Sequence, residues 1–345
     1  MKGIGTFLAM DSGTTNTRVW LIREGKVLAK TQVQAGVRDT ARTGSLAFLK
    51  EGIRTAIGRV LEQAGENPPP FALAAGMITS GLGLLELPHL QAPVGWRELA
   101  EAVESASFPD LYDLTIYFVR GVRSGPLPYT LEEAPGVDII RGEETEVFGA
   151  LETLPLKGPL LYLHLGSHSK VIQVDAEERI VGGITTLAGE LIHAVQTQTI
   201  LGSALPKGPV EALDESLLFR GAMWEERYGL SRTFFLIRIL EQSHRYREAQ
   251  LMSVFAGAVA SADLHAMRAH GLLKDRSQQV ILSGQPAFQP AWRFFLEREG
   301  FTVTALPPEE TERAFLTGLQ KIVFGSPAFH PIIRGPDGAA VQGSA

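Results

Sequence analysis

Leu8-Ala9-Met10-Asp11-Ser12-Gly13-Thr14-Thr15-Asn16 is the stretch from which the fold is read. Residues 6–10 are apolar, 11–16 small and polar, and 18–22 apolar again, which reads as strand, tight turn, strand. Glycine in such a hairpin lets backbone N–H groups point at one spot with no Cβ in the way. Threonine hydroxyls add donors that reach phosphate oxygens. An aspartate at the strand end supplies an oxygen for Mg²⁺, directly or through its water shell. The same residues also suit a plain polar hairpin stabilised by its Asp and Asn side chains. A second copy favours the phosphate reading. Leu161-Tyr162-Leu163-His164-Leu165-Gly166-Ser167-His168-Ser169 aligns with the first stretch, Gly166 on Gly13, each followed by a hydroxyl residue.

Working outward, residues 27–34 form a third strand after Glu24-Gly25. Leu46, Leu49, Ile53, Ile57 and Val60 recur at helical spacing until Asn67-Pro68-Pro69-Pro70 stops the helix. Residues 71–75 and 115–119 read as strands. This β-β-β-α-β order makes an α/β domain with a mixed sheet. The pattern restarts near Pro159 with strands at 160–165 and 171–174. Helices are expected at 190–200, 210–224, 233–241, 249–269, 291–298 and 309–324, with strands at 280–282 and 301–305. The expected domains are residues 1–158 and 159–324, with a frayed Gly- and Pro-rich tail over 325–345.

Composition agrees with two folded domains. The chain has 345 residues, 45% hydrophobic and 20% charged, enough for sizeable cores. Its 36 glycines exceed the usual share of about 7%. With no cysteine, disulfides, thiolate zinc sites and cysteine nucleophiles are excluded. A net charge of −6 without a basic block argues against a nucleic-acid surface. No run approaches the roughly eighteen apolar residues of a membrane span, and Asp11 interrupts the start too early for a signal core. The expectation is a soluble, cytoplasmic protein with no nucleic-acid or membrane partner; a homodimer is left open.

The paired hairpins resemble the superfamily of actin, hexokinase and the heat-shock ATPases. More closely, the chain resembles the 2-dehydro-3-deoxygalactonokinase family nearly end to end. The matching stretches are Asp11-Ser12-Gly13-Thr14-Thr15-Asn16, Ala35-Gly36-Val37, Ala75-Gly76-Met77-Ile78-Thr79-Ser80 and Arg141-Gly142-Glu143-Glu144-Thr145. Gly166-Ser167-His168-Ser169-Lys170, Gly189-Glu190-Leu191 and Ser283-Gly284 follow. The sequence departs from the family's pattern at Ser12, Leu165, Val171, Ala188 and Gln285. Ser167 in place of threonine keeps a hydroxyl donor.

The resemblance implies two actin-like (ribonuclease H-like) α/β domains with mixed sheets flanking a nucleotide cleft. It implies ATP- and Mg²⁺-dependent phosphorylation of the terminal hydroxyl of a 2-keto-3-deoxy sugar acid. On that reading the cofactor is held by Asp11 (also the metal ligand), Gly13, Thr14, Thr15, Asn16, Gly166, Ser167, His168, Lys170, Ser283 and Gly284. The sugar acid is held by Gly36, Gly76, Met77 and Arg141, the arginine suiting its carboxylate. Glu143 or Glu144 is the general base, and the residues leave open which. Read without the resemblance, these acids suit the first turn of any helix. Lys170 is equally read as a solvated hairpin lysine, and His168 as a turn residue. The small residues Gly257, Ala258, Ala260 and Ala262 read as close helix packing; the resemblance makes theirs the second interdomain helix. No Walker A sequence occurs, and Gly81-Leu82-Gly83-Leu84-Leu85-Glu86 lacks the third glycine of a dinucleotide fingerprint. The rivals are a polyphosphate or guanosine-polyphosphate phosphatase of the same fold and a non-enzymatic nucleotide-dependent sugar sensor.

Overall fold

The computed structural model describes residues 4–206, 212–329, 332–334 and 340–342. The chain opens with β1 (Thr6–Ser12), β2 (Thr17–Arg23), β3 (Lys26–Val33), α1 (Val37–Thr43), α2 (Ala47–Ala64) and β4 (Phe71–Gly76). There follow β5 (Leu90–Gln91), α3 (Trp96–Glu101), β6 (Glu104–Phe108), β7 (Leu114–Phe118), β8 (Val122–Ser124), β9 (Asp138–Ile140) and α4 (Glu143–Thr153). Next come β10 (Leu160–Leu165), β11 (Ser169–Val174), β12 (Ile180–Thr186), α5 (Ala188–Gln198), α6 (Glu215–Tyr228), α7 (Leu230–Gln242) and α8 (Glu248–Ala269). The last are β13 (Gln279–Gly284), α9 (Gln289–Arg298), β14 (Thr302–Ala305), α10 (Pro308–Phe324), β15 (Ile332–Arg334) and β16 (Ala340–Gln342).

The main sheet of the first half has strand order β3-β2-β1-β4-β7-β6, and that of the second β12-β11-β10-β13-β14. In each, the strand before the hairpin is antiparallel to its successor and parallel to the strand on its other side. The alignment of the two hairpins therefore extends through five strands of each sheet, with β6 an added edge strand in the first. Strand β4 is buried along its whole length, as a central strand of this kind requires. Leu49, Ile53, Ile57 and Val60 of α2 bury one helical stripe against Leu8, Met10, Val19 and Leu21. In the second half, Leu161, Leu163 and Leu282 meet Phe255, Val259 and Trp292.

The chain divides into two compact units, but not at a single cut near 158. One unit is the residues up to Arg123, Ile139–Leu156 and those from Glu312 onward; the other is Ser124–Asp138 and Lys157–Thr311. Residues 124–138 join the second unit through Asp138, which accepts from the Thr185 hydroxyl at 3.1 Å, and through Pro135, whose carbonyl meets His270 Nε2 at 2.8 Å. Helix α10 joins the first unit by crossing α4 on bare backbone. A Cβ on Gly149 would lie 1.7 Å from Ala314 O, and one on Gly318 1.8 Å from Thr145 O. A reciprocal pair recurs in the second unit, where Gly221 of α6 faces Val254 O and Gly257 of α8 faces Leu218 O at 2.0 and 2.1 Å from the same imagined atom. Gly257 of the small-residue set on α8 is thus packed against α6, within one unit.

Two other expectations change. The helix expected over 210–224 begins at Glu215, because the Asp214 side chain caps it by accepting from Leu217 N–H at 3.1 Å. Residues 207–211 lie outside the described residues. The chain also does not fray at Gly325: Phe329 sits against Phe71, Tyr117 and Phe324 at ring-centroid distances of 5.3, 5.1 and 4.9 Å. Strands β15 and β16 pair antiparallel, and the rest of the expected tail, 330–331, 335–339 and 343–345, lies outside the described residues.

Candidate active site

In the first unit the hairpin closes through Gly13 N–H donating to Asn16 O at 2.8 Å. Its carbonyls are then taken by the start of α1: Val37 N–H donates to Gly13 O at 3.3 Å and Arg38 N–H to Thr14 O at 2.9 Å. A trans peptide directs its C=O and N–H oppositely, so the N–H groups of Thr14 and Thr15 face away from α1. Gly36 makes this possible, since a Cβ there would lie 2.4 Å from Thr14 O. Gly36, expected at the sugar acid, thus lies against the back of the first hairpin. Ser12 is fully buried; its hydroxyl meets Thr17 Oγ1 at 3.0 Å, and Thr17 donates to Ala35 O at 2.7 Å. Ser12, one of the departures from the family's pattern, therefore ties the hairpin strand to the turn before α1.

The second unit repeats the device. The start of α5 lies behind the hairpin, with Glu190 N–H donating to Ser167 O at 2.8 Å, which turns His168 N–H away from the helix. Gly189 plays the part of Gly36, since a Cβ on it would lie 2.0 Å from Gly166 O. Across each sheet a further glycine closes the arrangement. Gly76, paired with Ser12, has φ +94°, and Gly284, paired with Leu165, has φ +88°. Both conformations favour glycine, and a Cβ would lie 2.7 Å from Ser12 O or 2.2 Å from Leu165 O. Three glycine pairs therefore recur: Gly13 with Gly166, Gly36 with Gly189, and Gly76 with Gly284.

The remaining residues expected in the second unit are placed as follows. Ser283 is buried, and its hydroxyl lies 3.2 Å from His164 Nδ1. His168 is half-buried with Nε2 3.6 Å from Glu190 Oε1. Lys170 is buried on β11 between His164 and Thr185, unlike a solvated hairpin lysine.

The acid pair sits where expected, at the N-terminus of α4, and the structure separates its members. Gly142, at φ +109°, packs on Gly76, with only 3.2 Å between an imagined Cβ and Gly76 Cα. The imagined Cβ of Gly76 in turn lies 3.1 Å from Asp11 Oδ1. The ends of β1 and β4 and the start of α4 thus meet at one place. The Glu144 carboxyl folds back on its own helix, where both oxygens lie 2.8 Å from Gly142 N, and it is fully buried. Burial, helped by the neighbouring charge of Glu143, pushes it up to about 8, so it holds its proton at neutral pH. Glu143 is half-buried, with its Oε2 shielded from solvent. Two adjacent acids have become a fully buried, proton-holding group and a half-buried one.

Arg141 is directed elsewhere than toward a ligand carboxylate. Nη1 donates to Thr79 O and Thr79 Oγ1, both at 2.7 Å; Nη2 donates to Leu87 O at 2.8 Å and lies 3.4 Å from His89 Nδ1. Its guanidinium braces the loop that follows Gly76, whose first turn includes Met77 with its carbonyl accepting from the Ser80 hydroxyl at 2.7 Å. Asp11 lies at the strand end, 3.4 Å from Arg18. Among the described residues no three His, Asp or Glu side chains cluster to hold a metal.

Asp263 was not singled out from the sequence. It is the one acid between Leu251 and Met267, a stretch of α8 buried except at Ala262, His265 and Ala266, and that isolation is the available signal. No helix among the described residues is long and apolar enough to cross a membrane.

The comparisons with known proteins agree with this geometry. The family profile described as 2-keto-3-deoxy-galactonokinase matches residues 11–322. The chain is 26% identical over 328 residues to a probable 2-dehydro-3-deoxygalactonokinase of Rhizobium meliloti (strain 1021), covering 94% of this chain and 99% of that one. It is 28% identical over 200 residues to the 2-dehydro-3-deoxygalactonokinase of Escherichia coli (strain K12), covering 58% and 60%. In fold it is similar to a crystal structure from Sinorhizobium meliloti named as a 2-dehydro-3-deoxygalactonokinase protein, with TM-score 0.70, 23% identity and coverage of 92% and 97%. It also shares a fold with the activator of the 2-hydroxyisocaproyl-CoA dehydratase from Clostridium difficile, at TM-score 0.50, 12% identity and coverage of 93% and 95%. The chain belongs to the 2-keto-3-deoxy-galactonokinase family and is an ATP-dependent sugar-acid kinase.

Proposed function

We propose that the chain transfers the γ-phosphoryl group of ATP to the terminal (6-) hydroxyl of 2-dehydro-3-deoxy-D-galactonate or a related 2-keto-3-deoxy sugar acid, with Mg²⁺. The observation that carries this reading is the repeated hairpin, whose carbonyls are tied to a following helix so that its N–H groups face outward. Thr14, Thr15 and His168 would meet phosphate oxygens through those N–H groups. Gly13, Gly166, Gly76 and Gly284 keep the approach free of side chains. Asn16 closes the first hairpin, and Ser167 offers its hydroxyl.

The residues fit a Mg²⁺ ion. Asp11 offers a partly exposed carboxylate beside a glycine, and Mg²⁺ takes one or two carboxylates together with waters and substrate phosphates. When bound there, the ion would neutralise charge on the phosphates being transferred. Glu143 accepts the proton of the attacking hydroxyl, because the Glu144 carboxyl is fully buried and folded back on Gly142 N–H. Arg141 holds the loop 77–87 in shape for the sugar acid rather than binding it.

The test is ADP release over a panel of 2-keto-3-deoxy hexonates, pentonates and plain aldoses, with Mg²⁺ and with EDTA. Turnover with a 2-keto-3-deoxy acid and none with aldoses is expected. Steady hydrolysis of ATP or polyphosphate with no acid accepted would favour the phosphatase instead.

A further inference from the structure

Asp263 lies on α8, buried, at the back of the second hairpin. Three donors from three segments converge on its carboxylate. Thr186 Oγ1 donates at 2.8 Å, Trp292 Nε1 at 3.3 Å, and the Ser169 hydroxyl completes the set. Each donor stands where the candidate nucleotide site takes its shape. Ser169 is the first residue after the hairpin turn and is paired with Thr186 in register. Thr186 ends β12 just ahead of α5, the helix that takes the hairpin carbonyl. Trp292 is on α9, whose Gln289 donates to Gly284 O at 3.3 Å and to Leu306 O at 3.1 Å.

We propose that Asp263 is a positioning residue for the nucleotide: by joining Ser169, Thr186 and Trp292 it sets the hairpin 166–168 against α5 and the Gly284 turn. The proposal rests on reading that hairpin as a phosphate loop. A side-chain oxygen can accept several hydrogen bonds at once, and a carboxylate has about four lone-pair sites, so one group links three segments that no single neutral side chain would join as fully. Burial pushes this carboxyl up to about 6, while its three donors favour the charged form. It therefore acts as an acceptor at neutral pH.

The experiment is calorimetric titration of Mg·ADP into wild type and Asp263→Asn, with KM measured separately for ATP and for the sugar acid. An amide keeps the size but offers a donor where Trp292 or a hydroxyl also donates. Loss of ADP affinity and a rise in ATP KM on the order of tenfold are expected, with sugar-acid KM changed less than about twofold. Wild-type ADP affinity in the variant, or equal weakening toward both substrates, would overturn the proposal. If Asp263→Asn does not fold, Ser169→Ala and Thr186→Val each remove one donor and carry the same test: both must weaken ADP more than the sugar acid, and failure of either overturns it. Absence of Mg·ADP binding by the wild type would instead overturn the phosphate-loop reading beneath it.

Discussion

Glu143 and Glu144 illustrate how neighbours in sequence acquire opposite properties. Consecutive helix residues point about 100° apart, and here that rotation sends the Glu144 carboxyl fully into the protein and leaves Glu143 half-buried. Glu143→Gln is expected to lower kcat by about 10²–10⁴-fold, whereas Glu144→Gln should stay within several-fold of wild type at pH 7. Steady-state kinetics on both variants decides, and equal losses would return the assignment to either acid. Glu144 also predicts a pH dependence of stability. Its native value of about 8 lies above the ordinary 4.5, so between these the native state holds a proton that the unfolded state has lost. Stability from this group is intact below about 4.5, declines by up to about 1.4 kcal/mol per pH unit above it, and levels off beyond about 8. Glu144→Gln, whose amide oxygen still accepts from Gly142, should remove that decline in denaturant titrations at pH 5, 7 and 8.5. Arg141→Lys replaces a fork serving Thr79 and Leu87 with a point charge. Faster amide exchange over residues 78–87 and a sugar-acid KM raised about tenfold are expected. An unchanged loop with unchanged KM would show that the brace is dispensable.

At the scale of elements, strand–turn–strand openings and long helices were legible because apolar periodicity marks them directly. The alignment of Gly13 with Gly166 was legible too, but the other two glycine pairs were not. Gly36 and Gly189 approach backbone made by a hairpin before them, and Gly76 and Gly284 approach a strand distant in sequence. Contacts of that kind leave no local periodicity. The reciprocal crossing of α4 and α10 is a sharper case, joining Gly149 to Ala314 and Gly318 to Thr145. Gly318→Ala must push Thr145 O aside and is expected to cost roughly 3 kcal/mol, measured by chemical denaturation. A loss below about 0.5 kcal/mol would mean that the helices separate freely.

For the whole molecule, two α/β units with related sheets follow from the sequence pattern, while their make-up from interleaved segments does not. Residues 124–138 and α10 are assigned by contacts to residues far along the chain, such as Pro135 with His270, and no composition shift announces them. Nucleotide binding should register on the whole fold as well. Mg·ADP at about 100 times its Kd is expected to add about 2.7 kcal/mol of stability, visible as a melting temperature higher by several degrees and reduced when EDTA replaces Mg²⁺. A melt unmoved by Mg·ADP would argue against the cofactor site. The helix glycines carry a further consequence, for anyone seeking a hardier catalyst. Replacing glycine by alanine inside a helix ordinarily contributes about 1 kcal/mol through propensity alone, and it is among the first substitutions a thermostabilisation library would include. At Gly149, Gly221, Gly257 and Gly318 that route is closed by carbonyl oxygens 1.7–2.1 Å from where the methyl would go. A library for this enzyme should spare those four positions and spend its diversity on the exposed faces of α2, α6 and α7.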